Sequence, residues 1–321
     1  MTTASNVVLY YATLNSVVPQ KTAYTTDKKR QSNNNKNKKT ESTNAATPTP
    51  KALPVLELGG EEYIDTHTHV DSIFKKFKLP LTQWPAFSKT YFQPGFGGCI
   101  TVCCSPDSIE PVTRLLPYEG IHAAFGVHPH NAKDYSDGLE KRIEDMMSHP
   151  KTVAWGECGL DYFYSFSEPE LQRTVFTRQV QKAVQHKKPL VIHTREAEED
   201  TLQIMEQHLP KDWPVHVHCF TSSVQMAKQL LERWSNLVIG FTGVITFQST
   251  ESVRDVVRLV PLDRFLLETD GPFMAPLPFR GEVCHSGHVP FIAKMVSQVK
   301  DVPLKEVLAA ARANTRRVYG I

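Results

Sequence analysis

Tyr63-Ile-Asp-Thr-His-Thr-His69 places a short β-prone run directly before two histidines spaced two apart. Alternate side chains of a strand share a face, so both imidazoles can enter one site. The same arrangement recurs along the chain. Thr152–Gly156 leads into Glu157, and Pro189-Leu-Val-Ile-His193 ends in a histidine. His216-Val-His218 does the same, and Leu266-Leu-Glu-Thr-Asp270 ends in a carboxylate. The full set of expected strands is Tyr63–Asp65, Cys99–Cys103, Ala123–Gly126, Thr152–Gly156, Leu190–His193, Val215–His218, Leu237–Gly240 and Phe265–Glu268. Amphipathic segments separate them. In Glu170 to Lys187, Leu171, Val175, Val180 and Val184 recur near helical spacing. Eight strand-then-helix units over about 260 residues predict an α/β fold, a (β/α)8 TIM barrel, with a doubly wound open sheet as the alternative. No GxGxxG follows the first strand and no GxxxxGK[ST] occurs, so nucleotide-binding folds receive no support.

The 321 residues are 40% hydrophobic and 22% charged, enough to bury a core. No apolar run approaches the roughly 20 residues of a membrane span. The first twenty residues lack a basic n-region and a cleavage site, so a secretory signal is not expected. Six cysteines without a CxxC pair indicate a reducing, intracellular setting. The net charge of +2 conceals two unlike parts. Residues 1–53 carry +6 and are rich in Asn, Lys, Ser and Thr. The remainder carries −4 and all thirteen histidines. A disordered basic tail or linker over 1–53 is therefore expected ahead of a folded barrel domain over 54–321. Lys28-Lys29-Arg30 and Lys36 to Lys39 suggest a nuclear address or a nucleic-acid tether, so nuclear or cytoplasmic placement stays open.

Barrel active sites form at the C-terminal ends of the strands, which would gather His67, His69, Glu157, His193, His218 and Asp270 at one mouth. Four imidazoles and two carboxylates suit Zn, Mn or Mg. They exceed what one tetrahedral site needs, and a carboxylate bridging two cations would use them all. His216, two residues before His218, is the alternative ligand there.

These stretches resemble the signatures of the TatD-like metal-dependent deoxyribonucleases. The resemblance rests on Asp65-Thr-His67-Thr-His69, Gly126-Val-His128-Pro-His130, Gly156-Glu157-Cys-Gly-Leu-Asp161-Tyr162, Pro189 to His193, His218-Cys-Phe220, Glu268-Thr-Asp270-Gly-Pro272 and Asn314-Thr-Arg316. It covers Tyr63 to Tyr319. It implies a two-metal nuclease, often a 3′→5′ exonuclease, with His67, His69 and Asp270 on one metal, His193 and His218 on the other, and Glu157 bridging. Gly271 and His288-Val-Pro290 depart from the family's usual residues, in the loop after the last strand.

Two divalent cations would generate a shared hydroxide and neutralise phosphoryl charge. Asp270 is then expected as ligand and proton acceptor, and His128 or His130 as phosphate contact or leaving-group acid. Arg195 has the fork for a phosphate or for a salt bridge to Glu196, Glu198 or Glu199, and Arg280 is a second candidate. Asp161 is expected to orient a ligating histidine or cap the following helix. Tyr162, Phe163 and Tyr164 are candidates for base stacking. The acidic body favours single-stranded or frayed DNA or RNA over tight duplex binding, with no membrane and no obligate protein partner inferred. Two rivals are an amidohydrolase-type enzyme for an amide, ester or lactone, and an inactive nucleic-acid-binding scaffold.

Overall fold

Eight strands run in sequence order around one parallel sheet. They are β1 (Tyr63–Thr68), β2 (Phe96–Cys103), β3 (Ile121–Phe125), β4 (Thr152–Asp161), β5 (Leu190–Arg195), β6 (Val215–Val217), β7 (Leu237–Phe241) and β8 (Phe265–Leu267). Helices pack outside them, including α1 (Asp137–Met147), α2 (Pro169–Gln185), α3 (Glu198–His208) and the final α4 (Leu304–Tyr319). This computed structural model describes residues 47–321. The tail expected over 1–53, with its two basic clusters, therefore lies outside the described residues as far as residue 46. From Lys51 onward the chain already touches the barrel: Lys51 pairs with Glu282 at 2.8 Å, and the Leu56 amide donates to Gln93.

The seam between β8 and β1 closes the barrel. The Asp270 amide donates to the His67 carbonyl at 2.8 Å, and the Thr66 hydroxyl donates to the Leu267 carbonyl at 3.0 Å. Thr269 donates twice to the buried Asp65 carboxylate, from its amide at 2.9 Å and its hydroxyl at 2.6 Å. Burial still pushes Asp65 up to about 7.

Two-residue alternation sorts the strands into two cores. Ile100, Val102, Ala124, Ala154, Val191, Val238 and Leu266 fill the lumen, with Val318 and Tyr319 from the end of α4 packed among them. The opposite faces, including Phe125, Trp155, Ile192 and Val217, pack against the helices. Residues of lumen parity near the C-terminal strand ends arrive at the mouth, and in β4 a register shift between Trp155 and Cys158 brings Glu157 there instead.

Every strand differs from its expected bounds, by one to five residues at an end, and three of the differences bear on the mouth. β4 continues past Gly156 to Asp161, so Glu157 lies within a strand. Gly156 and Gly159 explain the misreading: a Cβ at either would collide with β5 backbone, at Val191 and His193 respectively. Glycine there lets β4 press onto β5, where a propensity reading ends the strand. β6 and β8 are three residues each, and stop short of His218 and Glu268. In α2, Leu171 is exposed, while Gln172 and Gln179 belong to the buried face with Val175, Phe176 and Val180.

Candidate metal centre

Glu157 is 2% exposed and sits among imidazoles. One oxygen, Oε2, lies 3.3 Å from His67 Nε2 and 4.0 Å from His69 Nε2. The other, Oε1, lies 2.7 Å from His218 Nε2, 3.0 Å from His193 Nδ1 and 3.4 Å from His128 Nε2. Asp270 joins the first group, its Oδ1 at 3.3 Å from His69 and 3.7 Å from His67. The carboxylate therefore faces two histidine groups with different atoms.

Hydrogen bonds assign the protons on several rings. A neutral imidazole carries one N–H and one lone pair, so a committed nitrogen defines the other. His69 Nδ1 donates to the Val102 carbonyl at 3.1 Å, leaving the Nε2 lone pair on the cluster. His193 Nε2 donates to Asp161 at 3.1 Å, leaving Nδ1 inward. His128 is the reverse. The His130 amide donates to its Nδ1 at 3.1 Å, so Nε2 carries the hydrogen toward Glu157. His67 has no hydrogen-bond partner on either nitrogen and no exposed surface. Its ring stacks on His218 at 3.9 Å, and His218 Nδ1 is also without a partner.

The charges are strongly displaced. Burial opposes ionisation of Glu157, but His218 and His128 hold it well below the usual carboxylate range. Burial lowers His67 to about 4 and pushes His128 well below the ordinary imidazole value. Burial also opposes charge on His193, yet the bonds to Asp161 and Glu157 outweigh it and raise the ring to about 9, so the Nδ1 proton must leave before that nitrogen can hold a cation. These residues fit divalent cations. Orphaned buried nitrogens are costly. His67, His69 and Asp270 present ligand atoms within 4.8 Å of one another, and so do His67, Glu157 and His218.

The expected neighbours divide sharply. Asp161 accepts from both His193 and His130, and its other oxygen accepts from the amides of Phe163 and Tyr164. It thus orients the ring and also caps the turn after β4. Arg195 ends β5 beside the cavity, 3.8 Å above the Phe163 ring, and forms no ion pair among the described residues. Tyr162 is absent from the cavity wall: its hydroxyl donates to Asp200 at 2.5 Å, between α2 and α3. Arg280 is also away from it, lying over the Phe247 ring at 4.5 Å. His216 is not at the mouth. It lies one layer down in the lumen, 3.0 Å from Glu268 and 2.7 Å from the Tyr319 hydroxyl.

Several contributors lay beyond the sequence reading. Gln179 holds both the amide and carbonyl of Val127, which sets His128, and Gln172 does the same for Asp161. Phe166 and Phe273 add exposed rings to the rim beside Phe163 and Tyr164. Cys104 lines the cavity, which has a volume of about 740 Å³.

A parallel barrel with a buried histidine–carboxylate cluster at the C-terminal mouth defines a metal-dependent hydrolase. Comparison with known proteins gives the family: residues 64–320 match the model for TatD related DNase, and the chain belongs to that family. It is 40% identical over 288 residues to human "3'-5' RNA nuclease TATDN2", covering 87% of this chain but only 38% of that relative's length. It is 36% identical to "Uncharacterized metal-dependent hydrolase YcfH" of Escherichia coli K12, covering 80% of this chain and 96% of that one. Among solved structures, the TatD homologue YJJV of Escherichia coli K12 superposes with a TM-score of 0.73 at 27% identity. That match covers 81% of this chain and 98% of the other. No helix of the described residues is long and apolar enough to cross a membrane.

Proposed function

We propose that this chain hydrolyses nucleic-acid phosphodiester bonds at the cluster, trimming single-stranded or frayed ends of DNA or RNA in the 3′→5′ direction. The observation that carries this reading is the division of Glu157, with Oε2 toward His67, His69 and Asp270 and Oε1 toward His193 and His218. Two divalent cations held on either side of it would supply charge neutralisation at the phosphoryl oxygens and an acidified water.

The remaining steps belong to the chain. Asp270 Oδ1 stands beside His69 and receives the proton of the attacking water. His128 presents Nε2–H as a hydrogen bond to a phosphoryl oxygen; burial keeps the ring neutral, so the proton for the departing oxygen comes from water. Arg195, in no ion pair among the described residues and stacked on Phe163, offers its fork to a flanking phosphate. The exposed rings of Phe163, Tyr164, Phe166 and Phe273 favour unpaired bases, each stack worth roughly 1–3 kcal/mol. The name of the human relative supports both a nucleic-acid substrate and the 3′→5′ polarity.

End-labelled single- and double-stranded DNA and RNA, incubated with Mg, Mn or Zn, test the reading. A stepwise ladder shortening from the 3′ end is expected. Intact oligonucleotides together with metal-dependent turnover of a lactone or cyclic amide would overturn it in favour of a small-molecule hydrolase.

A further inference from the structure

Cys104 has no part in the phosphodiester chemistry, yet it stands in the wall of the cavity. It follows β2 with the parity of the lumen residues Ile100 and Val102, which brings position 104 to the mouth. Its backbone is anchored there, because its carbonyl accepts from the His128 amide at 2.9 Å. A ring nitrogen of His69, the Cys104 sulphur and a carboxylate oxygen of Glu157 all lie within 4.8 Å of one another. The His69 nitrogen left for this group is Nε2, since Nδ1 is engaged by Val102. Beside it the fully buried His67 aims an unpartnered Nε2 at Glu157 and Asp270, 3.3 Å and 3.7 Å away. His69 and Glu157 are shared between that nitrogen's surroundings and the group holding the sulphur, so a cation they hold would have the sulphur within reach.

We propose that the Cys104 thiolate is a ligand of the cation held by His69 and Glu157, making this a mixed nitrogen, oxygen and sulphur site. The step is a simple exchange: the S–H bond breaks, a sulphur–metal bond forms, and the proton passes to water. A thiolate donor shifts preference away from Mg toward softer ions such as Zn or Co(II). The assignment rests on the metal centre proposed above.

Cobalt(II)-loaded full-length protein tests it by absorption, with cobalt content measured in parallel. A near-ultraviolet sulphur-to-cobalt charge-transfer band is expected in the native chain. Cys104→Ser should lose the band while retaining cobalt, and Cys219→Ser, at the other thiol in the cavity wall, should keep it. Bound cobalt without the band, or a band surviving Cys104→Ser, overturns the role of Cys104 alone. Failure to retain cobalt overturns the metal centre and this ligand together. Alkylation mapping of the native chain needs no variant. Zinc should block labelling of Cys104 and a chelator should restore it; equal labelling under both conditions overturns the proposal.

Discussion

His128 and His193 carry the same ring but present opposite nitrogens to Glu157, and the difference is set by what each binds behind it. An amide donates to His128 Nδ1, whereas a carboxylate accepts from His193 Nε2. The first ring turns an N–H toward Glu157, and the second turns the nitrogen free to serve the proposed metal. His128→Ala should therefore lower kcat by about 10²–10³-fold, the usual worth of a placed hydrogen-bond donor to developing charge, with metal content unchanged. Glu157→Ala should remove metal and activity together, and atomic emission beside a turnover assay separates the two outcomes. Asp161→Asn should weaken metal affinity about 10–100-fold by loosening His193, measured by competition with a chromogenic chelator. The unequal fates of Arg195 and Tyr162 belong to this scale too. Tyr162 and Tyr164 both follow β4, yet only Tyr164 lines the cavity, because the backbone turn decides which ring faces it and residue type alone does not report that.

The helices do more than cover the barrel. Gln179 of α2 reaches through the wall to bond both polar atoms of the Val127 backbone and the Trp155 indole. Gln179→Leu should strand those groups and cost about 2–3 kcal/mol, read from urea denaturation. A helical-period search cannot find such a residue, because glutamine on a buried face counts against the face. A second link joins α1 to α2: Glu140 accepts from Tyr135, Arg178 and Lys182 at 2.5–3.1 Å. Burial opposes its charge, but the bonds from Arg178, Tyr135 and Lys182 win and hold it down to about 2. Its folded value lies below its unfolded one, so the contribution is present above about pH 4.5 and fades as pH falls toward 2. Arg178 is 45% exposed and water screens it, leaving about 1–2 kcal/mol. Denaturation at pH 3 and pH 6 should show native protein losing roughly half of that amount relative to Glu140→Gln.

For the whole molecule, the cluster draws on β1, β4 and β5 and on the segments after β3, β6 and β8, so anything bound there couples most of the barrel. Binding to the native state alone adds about 4 kcal/mol when free metal stands at 1,000 times its Kd. Chelation should accordingly lower Tm by several degrees, restored by adding back Zn or Mn, and scanning calorimetry measures it. The lumen beneath is closed by the other end of the chain, where Tyr319 bonds His216 in a layer shared with Glu268. Gly240 leaves room for that pair, since a Cβ there would collide with both side chains.

The residue pattern by itself determined the barrel and the gathering of five donors at its mouth, with His216 or His218 as the sixth. Strand alternation is a local geometric law, and a parallel barrel carries every strand end to the same rim. Tertiary structure alone decided which of His216 and His218 reaches that rim, which ring nitrogens face inward, and that Tyr162 turns away while Cys104 turns in. Those outcomes depend on strand registers, close approaches at glycine and hydrogen bonds between residues far apart in the chain, and such interactions have no local signature.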